Sequence, residues 1–414
     1  MLEPLVGVSE ARTIILAAIK PLGVETARLA SAAKRILAEN VTAKIAIPPF
    51  DNAAMDGFAV RISDLSAACV KNPVRLKIIE EVQAGAVPMK AVKRGETVSI
   101  MTGAPMPKGA DMVIPIEDVK RESEEIIVSQ KPRQRHLRKA GEVAVAGSIV
   151  LETGVLLGPA EIGFLAAVGV DKVCVSRRPK VAIISTGDEL VEPGRSLPPG
   201  MIYASNAAAL VELVRAYGGA PINMGIARDN EAAIERKVRA GLSRADAVIT
   251  SGGVSAGEYD YVKAAMARLD AGPRFWRVRM RPGQPLAFAV AEGKPIFGLP
   301  GNPVAVMVSF FEFARCALLK MQSARNPDIP TVQAVLDEAI KARPNYTSFI
   351  RAKLTYRGGE FHATTTGLQG SALIGSLAAA DALLVIGEKK TNLPAGAKVD
   401  AQILDFIPPR WWGK

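Results

Sequence analysis

The sequence predicts a multidomain protein of α/β plus β class, and three observations carry the prediction. Residues 179–321 alternate short apolar runs with longer helical patterns, as strands and helices do around a mostly parallel sheet. Residues 60–150 and those beyond 329 instead carry short β-branched runs at close intervals, broken by Gly and Pro, as small β domains do. At 414 residues the chain is also too long for one ordinary core.

In chain order, residues 9–18 read as a helix with Ser9 as its N-cap, and 26–38 as a second helix. Residues 47–60 combine Asp51, Asn52 and Asp56 with a proline pair and Gly57, a loop composition ending in a strand-like run. Strands follow at 74–79, 96–101, 112–116 and 126–129, then a helix at 157–168. In the α/β part, strands are expected at 181–185, 220–225, 245–250 and 295–299. Helices are expected at 206–217, 231–241, 261–269 and 304–321, the last long and apolar. The final strands fall at 332–336, 349–354, 361–365, 382–386 and 401–406.

Two glycine-bearing turns stand out. One runs from strand to helix through Ser251, Gly252, Gly253, Ser255 and Gly257; the other through Pro300, Gly301, Asn302 and Pro303. Each falls where an α/β sheet binds ligands, outside the carboxyl end of a strand. Glycine lets backbone approach a phosphate, and the helix that follows offers N–H groups to an anion. Tight turns collect the same residues without a ligand, and neither turn fits the common nucleotide-binding fingerprints. Ser185 to Glu189, Arg228 to Asn230, Glu258 and Asp260 occupy the same class of turn, so acids gather on one rim. Carboxylates beside a phosphate require a bridging cation such as Mg²⁺, with Asp229 and Asp260 as its ligands; the other reading is that Asp229 and Asp260 cap the helices they precede. Arg277, Arg279 and Arg281 alternate along a strand pattern and would share one face, against an anion or against water on an edge strand.

The formal charge of +11 favours anionic partners. Basic residues are scattered, without the aromatic interleaving of single-strand binders, so no nucleic-acid partner is expected. The densest run, Lys131 to Lys139, fits a solvated face as well as an anion site. Three well-separated cysteines fit a reducing compartment, and no apolar run spans a bilayer, so a cytoplasmic protein without a membrane partner is expected. With only His136 and His362 in the chain, histidine acid–base catalysis has little support.

Six stretches together resemble the molybdopterin molybdenumtransferase family, which inserts molybdate in the last step of molybdenum cofactor synthesis and includes the E domain of gephyrin. They are Pro48 to Asn52 with Met55 to Gly57, Thr102 to Pro105, Ser185 to Leu190, Ser251 to Tyr261, Gly298 to Pro303, and Thr366 to Ser371. The resemblance implies a three-layer α/β/α molybdopterin-binding domain with a parallel-rich sheet (1–24 and 177–328). It also implies a discontinuous linking domain (25–45 and 141–176), a β domain (46–140) and a C-terminal β-barrel-like domain (329–414). By that likeness the protein is a homodimer that takes adenylylated molybdopterin, molybdate and Mg²⁺ and releases AMP. Glu189, Asp229 and Asp260 match the family's functional acids, and Asp56 and Thr102 those brought by the partner subunit. Arg277 and Arg281 stand where relatives commonly have lysine, and Arg351 and Ser371 match positions associated with molybdate. Gln284 and Tyr346 depart from the pattern, each removing a positive charge. A non-catalytic scaffold of the same fold is the rival reading; the retained acids argue against it, and Gln284 for it.

Overall fold

The computed structural model describes residues 5–254, 261–269 and 271–404. They form two compact units, one of Met1–Glu25, Lys34–Ala38 and Ser176–Lys414, the other of Thr26–Ala33 and Glu39–Val175.

The first unit holds a six-stranded mixed sheet in the order Ala220–Ala227, Lys180–Thr186, Ala247–Ser251, Lys294–Leu299, Pro285–Ala291, Phe275–Arg277. The first four strands are parallel and the last two antiparallel. Lys180–Thr186 is buried at every position but its first, as a central strand covered on both faces must be. The pleat sends alternate side chains to opposite layers. Val181 and Ile183 pack with the Val8–Ala18, Ser205–Ala216 and Pro303–Met321 segments, while Ala182 and Ile184 pack with Glu231–Arg244 and Tyr261–Arg268. Each fully buried isoleucine or leucine in these layers stabilises the fold by roughly 2 kcal/mol. The four parallel strands and the helices on both faces match the α/β expectation; the antiparallel strand Pro285–Ala291 was not read from the sequence.

In the same unit, Thr347–Arg357 pairs with both Glu360–Thr365 and Ala382–Ile386. Ala382–Ile386 pairs with Lys398–Ile403, which pairs with Thr331–Leu336, which returns to Glu360–Thr365. The ring closes, so the β domain read from the sequence is a five-stranded barrel, and closure leaves no strand edge among the five without a partner. The second unit carries a six-stranded sheet in the order Met112–Pro115, Gly57–Val60, Glu96–Ile100, Val74–Val82, Glu125–Val128, Lys120–Glu122. Its helix, Pro159–Ala167, starts with proline and is capped by Glu161, whose carboxylate accepts the Gly158 N–H at 2.9 Å.

Four local expectations are corrected. The first helix is Val8–Ala18, with Gly7 rather than Ser9 at its N-cap; the Glu10 carboxylate accepts the Gly7 N–H at 3.1 Å and replaces a hydroxyl cap. Residues 26–38 are not a helix. They continue the strand Val24–Arg28, make the 3₁₀ turn Leu29–Ser31 and go on through a turn to bridge positions at Ile36 and Leu37, with the Leu29 N–H taken by the Asp171 carbonyl at 2.9 Å. Residues 304–321 form one continuous helical rod, but Phe310–Ala314 is a π-turn between Pro303–Ser309 and Arg315–Met321. Finally, the arginine strand is broken. Phe275–Arg277 belongs to the α/β sheet, while Met280–Arg281 pairs with Thr347 and Ser348 of the barrel. Val278 and Arg279 make the crossing, and the period-2 alternation ends there, so the three arginines do not share a face.

Candidate functional site

The parallel register fixes where the glycine-bearing turns meet. Ser185 lies opposite Ser251, Thr186 opposite Ala227, and Ser251 opposite Leu299, so these strands end level with one another. Their turns open into one cleft of about 1130 Å³, lined by residues of both the α/β sheet rim and the barrel.

The two glycine turns abut. The Gly252 N–H donates to the Leu299 carbonyl at 3.1 Å, and a Cβ added to Gly301 would sit 3.7 Å from the Gly252 Cα. Gly252 has φ +95°, and a Cβ there would come within 2.6 Å of the Thr186 carbonyl oxygen, so only glycine fits the turn. Asn206 holds both turns with one amide: its Nδ2 donates to Ser251 Oγ at 2.9 Å and to the Gly301 carbonyl at 2.7 Å. Pro303 opens the second turn's helix, as expected, and the Val304 N–H is taken by the Ser371 carbonyl at 3.0 Å. That bond brings Ser371 of the barrel to the lip of the glycine turn.

Ser251, Gly252, Gly253, Pro300, Gly301, Asn302 and Pro303 all line the cleft, as do Glu189, Asp229, Arg281, Gln284 and Ser371. Asp229 does not cap its helix; the N-cap is Asn230, which accepts the Ala233 N–H at 2.9 Å. Burial, and then the neighbouring Glu189 carboxylate, push the Asp229 pKa above its usual value. Its Oδ1 is buried without a hydrogen-bond partner. A carboxylate oxygen left orphaned beside a second carboxylate fits a cation better than it fits an isolated side chain. Among the described residues no three His, Cys, Asp or Glu side chains group closely enough to hold a metal alone. Two carboxylates are what Mg²⁺ takes when substrate phosphate and water complete its shell. Ser255, Gly257, Glu258 and Asp260 lie outside the described residues.

Arg277 does not line the cleft. Arg279 is engaged elsewhere, donating to the Leu5 carbonyl at 2.6 Å and to Glu388 at 3.3 Å. Arg351 is wholly buried behind the 368–371 loop, where its Nη2 donates to the Leu368 and Gly370 carbonyls and its Nε to Ser376 Oγ. Its Nη1 has no partner. Arg351 therefore shapes the loop that carries Ser371 rather than forming the wall itself.

Three family models match in order along the chain: the MoeA N-terminal region (domain I and II) over residues 6–169, a probable molybdopterin binding domain over 182–320, and the MoeA C-terminal region (domain IV) over 333–404. A molybdopterin molybdenumtransferase 2 of Mycobacterium tuberculosis is 37% identical over 380 residues, 90% of this chain and 93% of that one. The chain belongs to the molybdopterin molybdenumtransferase family. A member from Haemophilus influenzae is 34% identical over 94% of this chain and 95% of its own. The crystal structure of the molybdopterin biosynthesis MoeA protein from Pyrococcus horikoshii superposes with TM-score 0.83 at 33% identity, covering 97% of this chain and all of that one. The protein is thus an enzyme of the molybdopterin molybdenumtransferase family, with the MoeA multidomain fold.

Against that family's pattern, the second unit brings Asp56 and Thr102 together. Asp56 Oδ1 accepts both the Thr102 N–H and its hydroxyl, each at 2.7 Å. These two bonds hold the Asp56 carboxyl below its usual pKa, the backbone N–H contributing most. The cleft also contains residues the sequence did not single out: Asn206, Lys341 and Arg343. Asn206 could have been found as a polar residue in the first turn of a helix at the ligand rim. Nothing local marks Lys341 and Arg343; Lys341 is placed by the short ribbon it forms with Asn392, about 50 residues further along the chain.

Proposed function

We propose that this enzyme transfers molybdenum from molybdate to adenylylated molybdopterin, with Mg²⁺ bound and AMP released, as a cytoplasmic homodimer. The observation that carries the proposal is one cleft in which phosphate-compatible glycine turns, an orphaned Asp229 oxygen beside Glu189, and the basic side chains of the barrel face a common space. Exchange of an adenylyl group for a metal oxyanion requires positioning and charge neutralisation more than a nucleophile. Backbone amides around Gly252, Gly253 and Gly301 and the Ser251 hydroxyl are suited to hold the substrate's phosphates. Asp229, joined by Glu189 and Asp260, would hold the cation, which supplies neutralisation of phosphate charge when bound. In a dimer, Asp56 and Thr102 of one subunit would complete the cleft of the other.

The test is purified protein with adenylylated molybdopterin, Mg²⁺ and molybdate, followed for AMP. Molybdate-dependent release is expected. Asp229→Asn should lower it by about 100-fold, the scale of losing one charge contact in the transition state. Absence of AMP release from the wild type would remove the proposal, and full activity in Asp229→Asn would remove the cation's place in it.

A further inference from the structure

Arg279 does not line the cleft, yet the chain that does line it passes through this residue. Arg277 still belongs to the α/β sheet and Met280 already pairs with the barrel, so the crossing takes only Val278 and Arg279. It is tightly made. The Met280 N–H turns back to the Val278 carbonyl at 2.8 Å, and the Val278 N–H donates to the Gln284 carbonyl at 3.0 Å. Residues 5–7, ahead of the first helix, take up the backbone groups that the departing strand leaves. The Val6 N–H donates to the Arg277 carbonyl at 3.1 Å, and the Arg279 N–H to the Val6 carbonyl at 2.8 Å. On the barrel side, the Thr347 N–H donates to the Arg279 carbonyl at 3.0 Å.

The side chain of Arg279 ties the same segments together. Its Nη1 donates to the Leu5 carbonyl at 2.6 Å, while its Nε faces both oxygens of Glu388 at 3.3 Å. Glu388 sits in a barrel turn closed by the Lys390 N–H on the Gly387 carbonyl, and its own carbonyl accepts the Asn345 N–H at 3.1 Å. Gly7 leaves room for the guanidinium, since a Cβ there would stand 3.2 Å from Nη2. A planar guanidinium suits such a joint, because its donors point in fixed and different directions. Directly after the joint comes the site: Arg281, Pro282, Gly283, Gln284 and Pro285 all line the cleft. Only Met280 and Arg281 of this stretch pair with Thr347–Arg357, so its place depends on the crossing before it. We propose that Arg279 is a positioning residue for the transfer reaction: through Leu5, Gly7 and Glu388 it fixes the crossing, and so sets where residues 281–285 stand between the sheet rim and the barrel. A half-exposed ion pair of this kind adds little to stability. Its effect is geometric, and displacements of about 1 Å are enough to slow a reaction whose partners must be aligned. The kinetic consequence rests on the proposed function, whereas the joint itself does not.

Amide hydrogen exchange reads the joint without turnover. In Arg279→Ala the amides of Val6, Val278 and Thr347 should exchange faster by about fivefold or more, with those of the central strand Lys180–Thr186 unchanged. Steady-state AMP release reads the consequence. Arg279→Ala should lower kcat/KM by about tenfold while thermal melting changes little, and Glu388→Ala should lower it less. The Arg279→Ala/Glu388→Ala double variant should be no worse than Arg279→Ala alone, because both residues act through one contact. Gly7→Val keeps every charge but crowds the guanidinium, so it should reproduce part of the loss. Arg279→Lys keeps one of the two grips and should restore part of it. Unchanged exchange at the three amides overturns the joint. Wild-type kcat/KM in a folded Arg279→Ala variant overturns positioning even where melting falls, and so do losses that add in the double variant. If the wild type itself releases no AMP, the transferase proposal fails, and the exchange rates still decide whether the joint exists.

Discussion

The smallest device in the cleft is Asn206, whose single amide nitrogen serves Ser251 and Gly301 at once. Hydrogen bonds of this kind contribute about 1 kcal/mol each, yet here they set the distance between the two glycine turns. Asn206→Asp replaces the donor with an oxygen facing the Gly301 carbonyl, so attraction becomes repulsion. The expected result is a loss of roughly 1–3 kcal/mol of stability and about a tenfold rise in KM for adenylylated molybdopterin, with the KM for molybdate little changed. Urea unfolding and AMP-release kinetics measure the two. An unaltered organic-substrate KM would mean that the turns keep their spacing without the amide. At this scale the sequence was legible where chemistry forces a residue type, as at Gly252. It was not legible where a common residue acquires its task from a distant partner, as at Asn206 and Arg351.

Among elements, the π-turn Phe310–Ala314 shows why part of the fold escaped the sequence. A rod this apolar, with only Ser309, Glu312, Arg315 and Lys320 to break the pattern, marks its period weakly, so the added residue leaves little trace in the sequence. Its consequence is chemical. Glu312 lies in the turn, 1% exposed, with its Oε2 accepting from Arg12 Nη2 at 2.9 Å. Burial pushes the Glu312 pKa from 4.5 to about 7, with Arg12 pulling in the other direction. Between those values the folded chain keeps a proton that the unfolded chain has lost. Stability from this group is therefore complete below pH 4.5 and declines as pH rises through 7, by about 3 kcal/mol at most. Glu312→Gln cannot ionise, so its urea-unfolding stability should fall less than the wild type's between pH 5 and pH 8. Equal declines would show that Glu312 is ionised throughout. The broken arginine strand is a second lesson at this level. Its alternation was visible, but the change of sheet at Val278–Arg279 depends on the Arg279 N–H meeting the Val6 carbonyl at 2.8 Å, across more than 270 residues of chain.

For the whole molecule, the order of strands, helices and small β domains was readable because hydrophobic period and glycine placement are local properties. Assembly is not local. Asp56 is exposed, and the two bonds from Thr102 that lower its pKa also fix its orientation, so it is a preorganised carboxylate at the surface of its unit. Glu189 is a carboxylate on the cleft of the other unit. If two copies of the chain share each site in the way proposed, damage to one group can be complemented by the other. Asp56→Ala and Glu189→Ala homodimers should each be inactive, whereas co-expression of differently tagged chains yields a mixed dimer. In that dimer one site receives both defects and the other receives neither, so isolated mixed dimers should recover about half of wild-type AMP release. Subunits that complete their sites alone would instead give mixed dimers no more active than the two parents, which would overturn the shared arrangement while leaving the cleft within each chain intact.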